Sequence, residues 1–183
     1  MRNAFIFAAM ALACTGPALA QDQDQDQPQE TNLVYQTPQV AQDHEALLAS
    51  DDPQLAANKR LVYDMYRIVL QAGLADRASE FILDDYVQHN PNAGQGLAGV
   101  QDYVRKTRPE REIKEKLDLP LIHLMAEGDY VQTAFVRPEK DAQGNTYYST
   151  WFDLYRIEDG KIAEHWDPML KSDAPIDPND KKI

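Results

Sequence analysis

The sequence predicts an α+β fold in which N-terminal helices pack on a curved antiparallel sheet. Apolar residues recur at helical spacing in the first half of the chain, and the pattern changes to strand-like alternation after residue 119. Helices and strands that occur in separate blocks indicate an antiparallel sheet with helices on one side. Such a sheet, with three helices across its concave face, forms a cone whose open mouth leads to a pocket for a small apolar molecule.

The helical half contains three predicted helices. The strongest covers residues 55–72, where apolar side chains recur every three to four positions and a glycine follows. Shorter helices are predicted at residues 76–83 and 100–106. The segment 86–91 between them is expected to be extended, because its final proline disfavours a helical conformation of the residue before it.

The second half reads as a series of strands separated by short turns. Glycine, aspartate and asparagine mark the turns, and the apolar pattern between them alternates. The predicted strands cover residues 119–126, 130–137, 146–157 and 161–167.

The N-terminus has the organisation of a secretory signal peptide. Residues 1–20 begin with a basic residue, Arg2, continue with an apolar run and end in an A-x-A pattern at Ala20. We therefore expect cleavage after Ala20 and a periplasmic or secreted mature protein. A lipoprotein attached through Cys14 is the alternative.

The remaining boundaries follow from composition. Residues 21–50 begin with alternating glutamine and aspartate and read as a flexible linker, with a short helix near its end. Residues 51–170 form the predicted folded domain. Residues 171–183 lack an apolar period and read as a C-terminal tail.

Charge and motifs exclude several classes of function. The net charge is −12, so the protein repels nucleic acid and anionic lipid, and neither is an expected partner. The single cysteine lies in the signal peptide, which removes thiol chemistry from the mature chain. The sequence has no zinc-ligand spacing, phosphate-binding glycine loop or G-x-S-x-G motif. We predict no cofactor and no metal, and no membrane insertion after cleavage.

Two acids stand out in the hairpin predicted for residues 146–157 and 161–167. Asp153 lies in its first strand and Asp167 ends its second. Strands rarely contain aspartate, because its short side chain competes for backbone hydrogen bonds and packs poorly. Two tryptophans and a histidine flank the acids, which indicates a partly buried polar site with aromatic walls.

The turn between the strands decides whether the two acids can cooperate. A two-residue turn at Asp159-Gly160 would put Asp153 and Asp167 on opposite faces, since side chains alternate along a strand. A three-residue turn that includes Glu158 would put them on one face. We predict the three-residue turn. The shared face would also carry Trp151, Tyr155 and His165.

Three segments resemble the SnoaL-like branch of the NTF2-like superfamily. They are YVQHNP at residues 86–91, followed by a glycine-rich turn, DLYRIEDGKI at residues 153–162, and EHWD at residues 164–167. The resemblance covers about residues 55–169 and implies the NTF2-like cone. The same cone hosts cyclases, isomerases, hydrolases, dehydratases and binding modules, so it does not fix the activity.

The resemblance also implies roles for three residues. In the polyketide cyclases of this branch, an acid at the end of the last strand is the general acid/base, and Asp167 occupies that position. Those cyclases have a histidine where this chain has Asp153. His89 occupies a position where the family often has a pocket-lining histidine, and it could supply the imidazole.

These observations lead to a hypothesis of an exported SnoaL-like enzyme that works by cofactor-free acid/base catalysis on a small apolar carbonyl compound. Asp167 would abstract a proton, and Asp153 or His89 would donate to the developing oxyanion. The predicted substrate-binding residues are Trp151, Tyr86, His165 and Tyr130.

Two alternatives remain open at this point: a non-catalytic periplasmic module for ligand binding or dimerisation, and an epoxide hydrolase-like enzyme that activates water. The hairpin's outer face would carry Phe152, Leu154 and Trp166. We expect this apolar patch to form a homodimer interface.

Overall fold

Helices pack against a five-stranded sheet in this computed structural model, which describes residues 38–171. The helices are α1 (His44–Leu48), α2 (Pro53–Met65) and α3 (Gly96–Thr107). A π-helical segment (Tyr66–Gln71) continues α2 directly, and a 3₁₀ segment (Ala75–Glu80) follows. The strands are β1 (Ile82–Gln88), β2 (Leu121–Glu127), β3 (Tyr130–Lys140), β4 (Thr146–Glu158) and β5 (Lys161–Trp166).

The helix predicted for residues 55–72 corresponds to α2 and its π-helical extension. Asp52 caps its N-terminus by accepting a hydrogen bond from the Gln54 backbone N–H at 2.8 Å, and Pro53 takes the first helical position. Val62, Tyr66 and Val69 are fully or almost fully buried in the core. A π-helical segment changes the direction of the side chains that follow it and is frequent at functional sites.

The sheet has the order β1-β5-β4-β3-β2. Strands β2 to β5 form the predicted antiparallel meander. Strand β1 was not predicted, and it pairs in parallel with β5 at the edge. This strand is difficult to recognise in the sequence, because Asp84 and Asp85 interrupt its apolar alternation and its partner on β5 is about 80 residues away.

The turn prediction for the hairpin is wrong. Glu158 pairs directly with Lys161, and the two residues between them have positive φ angles, 50° for Asp159 and 72° for Gly160. Asp-Gly suits this two-residue type I′ turn, whose twist matches that of the strands.

A β-bulge restores the face that the three-residue turn was expected to create. Ile157 pairs with Ile162, but Arg156 pairs with Glu164, so Ala163 is an extra residue in β5. The bulge shifts the alternation by one position and places Tyr155 opposite His165.

The last part of the segment predicted as a linker with a short helix, residues 41–48, packs against the domain. The Ala41 N–H donates to the Leu121 carbonyl at 2.8 Å, and Leu48 of α1 is buried in the core. His44 contacts the Tyr63 hydroxyl at 2.7 Å. The predicted signal peptide, the glutamine-rich segment and the predicted tail after Lys171 lie outside the described residues. No helix within residues 38–171 is long and apolar enough to cross a membrane.

Gly99 of α3 allows the loop after β1 to approach the helix. A Cβ at Gly99 would lie 2.4 Å from the Gly94 carbonyl carbon. We expect Gly99→Ala to lower the free energy of unfolding by about 1–3 kcal/mol, because the loop would have to move. Thermal unfolding measures this loss. Gly128→Asn is the control, since Gly128 has a positive φ but open space around its Cα, and asparagine tolerates that conformation.

Candidate active site

A cavity lies between α3, the π-helical segment and the sheet. Its volume is about 130 Å³, close to the ~150 Å³ of an engineered protein cavity that binds benzene. The apolar walls come from Met65, Leu70, Ile82, Val100, Tyr103 and Ile162. The polar groups of the wall include Tyr86, Gln88, Asn90, Asp153, His165 and Asp167.

Asp167 follows β5 and faces this cavity. The Asn90 side-chain N–H donates to its Oδ2 at 2.7 Å, and the orientation of Asn90 is fixed because its own Oδ1 accepts from the Asn92 backbone N–H at 2.8 Å. The second oxygen, Oδ1, is buried and has no hydrogen-bond partner among the described residues. Burial raises the pKa of Asp167 above its ordinary value, and the charge of Asp153 adds a smaller rise. The Asn90 hydrogen bond, His165 and the Met169 backbone N–H oppose that rise.

Asp153 is enclosed by donors. It is 4% exposed, its Oδ1 accepts from Trp151 Nε1 at 2.9 Å and lies 3.0 Å from His165 Nε2, and its Oδ2 accepts from the Tyr66 hydroxyl. Tyr155 donates in turn to the Tyr66 oxygen at 2.8 Å. These bonds occupy both oxygens, so the geometry does not support the predicted role of Asp153 as a donor to an oxyanion.

Trp151 was predicted to bind substrate, but it does not line the cavity. It is 3% exposed and lies behind Asp153, to which it donates. Trp151 is on the same face of β4 as Asp153, which is why it was expected in the site. The Arg137 guanidinium covers one side of its ring, 4.7 Å from the ring centroid. Its contact with the site is therefore indirect.

His165 lines the cavity, as predicted, and both its ring nitrogens are engaged. Nε2 contacts Asp153, and Nδ1 lies 3.0 Å from Gln88 Oε1. The ring stacks on Tyr155 with a centroid distance of 4.7 Å. The sequence reasoning missed Gln88, whose only signal was its place two residues after Tyr86 in the extended segment.

Tyr86 also lines the cavity, as predicted. Its hydroxyl oxygen accepts from Gln88 Nε2 at 2.9 Å, and its own proton is donated to none of the described residues. Burial raises the pKa of Tyr86, and the charges of Asp153 and Asp167 raise it further. Tyr86 therefore keeps its proton and can donate it to a ligand.

His89 and Tyr130 were both predicted to belong to the site, but neither lines the cavity. His89 stacks on Trp166 with a centroid distance of 4.6 Å, and its Nε2 lies 2.9 Å from Glu164 Oε2. Tyr130 is 45% exposed and lies 6.3 Å from the same Trp166 ring. His89 lies outside the cavity because side chains alternate along a strand. Gln88 points into the cavity, so the next side chain points to the outer face.

Asp153, His165 and Asp167 bring three metal-ligand atoms within 4.8 Å of one another. A metal bound there would have to replace the hydrogen bond between His165 Nε2 and Asp153 Oδ1. Asp153 would then lose the His165 N–H as a donor. The donor set therefore fits the hydrogen-bonded pair better than it fits a cation, and we assign no metal.

The model of the SnoaL-like domain family matches residues 62–165, more than half of the chain. The chain belongs to the SnoaL-like family. The match includes β1, Asp153 and His165 and ends two residues before Asp167. The observed α+β architecture is the predicted NTF2-like fold, with β1 as an additional parallel strand.

Several solved structures are similar to this SnoaL-like chain. TsrD from Streptomyces laurentii is 24% identical over 64% of this chain and 90% of its own, with a TM-score of 0.44. An M. tuberculosis LEH-like epoxide hydrolase is 17% identical over 63% of this chain and 84% of its own, with a TM-score of 0.46. A putative polyketide cyclase from Acidithiobacillus ferrooxidans is 17% identical over 65% of this chain and 89% of its own, with a TM-score of 0.45. No curated protein matches the chain.

Proposed function

We propose that this SnoaL-like protein is an exported enzyme that catalyses cofactor-free proton transfer on a small, largely apolar carbonyl compound. Aldol-type cyclisation and isomerisation are the reaction types that such a site supports. Asp167 is the general base and Tyr86 is the hydrogen-bond donor to the carbonyl oxygen. Tyr86 thereby takes the role that the sequence suggested for Asp153 or His89.

One observation carries this proposal: the cavity contains an acceptor and a donor that none of the described residues uses. Oδ1 of Asp167 is buried without a hydrogen-bond partner among the described residues, and the Tyr86 proton has no acceptor among them. Buried polar groups are normally paired, so an acceptor without a donor and a hydroxyl proton without an acceptor in one cavity indicate a ligand that binds both.

The reaction follows from the two groups. Asp167 Oδ1 takes the proton from the carbon next to the carbonyl, and the electrons of that C–H bond form the enolate. Tyr86 donates a hydrogen bond to the enolate oxygen, where the negative charge develops. In an isomerisation, Asp167 returns the proton to a different carbon. In an aldol-type step, the enolate carbon forms a bond to a second carbonyl carbon, and the C=O π electrons move to that oxygen. The oxygen then receives the proton that Asp167 took, which restores the base.

The walls of the cavity support this chemistry. A carboxylate whose pKa is raised by burial is a stronger base than an ordinary aspartate. Its pKa lies closer to that of the substrate's C–H group, so the proton transfer costs less free energy. The apolar side chains of α2 and α3 exclude water and strengthen the Tyr86 hydrogen bond. The volume fits one ring of about benzene's size, and a larger substrate would extend toward the mouth.

The experiment is proton exchange in D₂O. We expect the protein to accelerate deuterium incorporation next to the carbonyl of small cyclic and aryl ketones, detected by NMR of the ketone. Tyr86→Phe is expected to lower the rate about 10²–10³-fold, the loss that follows removal of one oxyanion donor. Tyr130→Phe removes an equivalent hydroxyl from the outer face and should leave the rate unchanged. Ketones that bind without exchange would favour the binding-module alternative.

We also propose that the protein forms a homodimer through the outer face of the sheet. Phe152 lies on the outer face of the sheet and is 46% exposed, near Leu154 and Trp166. We expect Phe152→Glu to convert a dimer to a monomer at micromolar concentration, because a charge would replace an apolar contact at the interface. Light scattering measures this. Leu170→Glu is the control, since Leu170 is 87% exposed and lies off the sheet. A monomeric wild type would end the dimer proposal.

A further inference from the structure

The amide of Gln88 has an orientation that a backbone donor fixes. The Asn90 N–H donates over 2.8 Å to the side-chain atom Oε1. A backbone N–H can only donate, so this position must hold the amide oxygen and the nitrogen must occupy the other. The nitrogen then donates to the Tyr86 hydroxyl at 2.9 Å. Both ends of the amide are satisfied in this orientation and in no other.

The same oxygen determines the proton on His165. Nδ1 lies 3.0 Å from Gln88 Oε1, and since an amide oxygen can only accept, Nδ1 carries a proton. Nε2 lies 3.0 Å from Asp153 Oδ1, and this contact is a hydrogen bond only if a second proton lies between them. The pair therefore holds one proton more than a neutral imidazole and a carboxylate would hold together.

The second proton belongs on the ring. Oδ1 of Asp153 also accepts from Trp151, and Oδ2 accepts from Tyr66, whose own oxygen accepts from Tyr155. Two donors directed at this carboxyl group, one of them itself supported by a third hydroxyl, stabilise its ionised form. The arrangement is thus an imidazolium beside a carboxylate, which is a buried ion pair with its hydrogen bonds complete.

We propose that Gln88 is a positioning residue that holds His165 as an imidazolium, which forms a positively charged wall of the cavity beside Asp167. This rests on the proposed function, because its consequence concerns the base. His165 lowers the pKa of Asp167 against the effect of burial, so its charge keeps more of Asp167 in the ionised form that can accept a proton. The titratable groups close to His165 include Asp153 and Tyr155 of β4 and Asp167. Tyr66 of the π-helical segment donates to Asp153, and Tyr86 of β1 lines the same cavity.

The proton count can be measured without a substrate. Long-range ¹⁵N–¹H correlation spectra of protein labelled at its four histidines distinguish a ring with two N–H groups from either neutral tautomer. We expect His165 to show two N–H groups at neutral pH. In Gln88→Met, which has a similar length but no oxygen, the Nδ1 proton should be lost under the same conditions. Gln88→Glu restores an acceptor and should restore the proton.

A kinetic readout separates positioning from simple structural support. In Gln88→Met, the low-pH limb of the exchange rate should move to higher pH, because a neutral His165 no longer lowers the pKa of Asp167. A His165 ring with one N–H in the wild type would overturn the proposal, even if Gln88→Met failed to fold. Spectra that are the same in the wild type and Gln88→Met would also overturn it. A wild type without exchange activity would refute the proposed function, while the spectra would still decide the proton count.

Discussion

Asp153→Ala is expected to lower the free energy of unfolding by about 3–5 kcal/mol, the usual cost of removing one partner from a buried ion pair. The loss is large because three donors point at this one carboxyl group. Trp151 Nε1, His165 and the Tyr66 hydroxyl would all remain buried without an acceptor. Urea unfolding followed by tryptophan fluorescence measures the change.

Two milder variants test whether the loss comes from the network. Asp153→Asn keeps an acceptor but removes the charge that balances His165, so it should cost less than alanine. Trp151→Phe removes a single donor and should cost about 1–2 kcal/mol. An Asp153→Ala protein within 1 kcal/mol of the wild type would contradict the assignment of Asp153 as the acceptor that holds this face together.

Asp167→Asn is expected to reduce the exchange rate about 10²–10⁴-fold, the range for loss of a general acid/base. The asparagine can still accept from Asn90, but it cannot take a proton from carbon. Asp85→Asn is the matched control, because Asp85 is exposed on β1 and does not line the cavity. A variant at Asp167 that keeps the wild-type rate would remove this residue from the mechanism.

The loss in Asp167→Asn should not arise from unfolding. Burial raises the pKa of Asp167 in the folded state, so folding favours its protonated form. Its contribution to stability is present below the unfolded-state pKa and is lost as the pH rises through the folded-state pKa. At neutral pH the ionised side chain therefore weakens the fold, and an uncharged asparagine is expected to be at least as stable.

Most of the fold could be predicted because its signals are local. The stripe of α2, the four meander strands and the location of the turn between β4 and β5 each depend on residues close together in sequence. Strand β1 could not be found in this way, since its hydrogen bonds come from β5 and its own pattern is interrupted by two aspartates. The parallel pairing depends on contacts that no local pattern records.

The hairpin shows how a correct face can follow from a wrong turn. Asp153 and His165 are in contact, as the three-residue turn would have required, but the extra residue is Ala163 and not part of the turn. A bulge leaves almost no sequence signal when its residue is an ordinary alanine. The Asp-Gly pair favours the two-residue turn that is observed, but we predicted the longer turn in order to place the two acids on one face. The bulge achieves the same result, because an extra residue reverses the alternation of the strand after it.

Part of the candidate site could also be predicted from local sequence patterns. Asp167 and His165 lie on or directly after β5, whose alternation was visible, and Tyr86 was found through its place in the YVQHNP segment; the cavity brings the three together. His89 was misplaced because its side depends on β1, the strand that was missed. Gln88 and Asn90 escaped notice because a neutral amide has no distinctive pattern in sequence. Their roles appear only when the backbone donors that orient them are known.

The pH dependence of proton exchange tests the central claim, that Asp167 is a buried base, most directly. The exchange rate of the wild type should fall as the pH is lowered through the pKa of Asp167, at a pH above the ordinary range of an aspartate. The same limb should be absent from the residual rate of Asp167→Asn. A rate that stays constant through this range, or an identical limb in Asp167→Asn, would contradict the account.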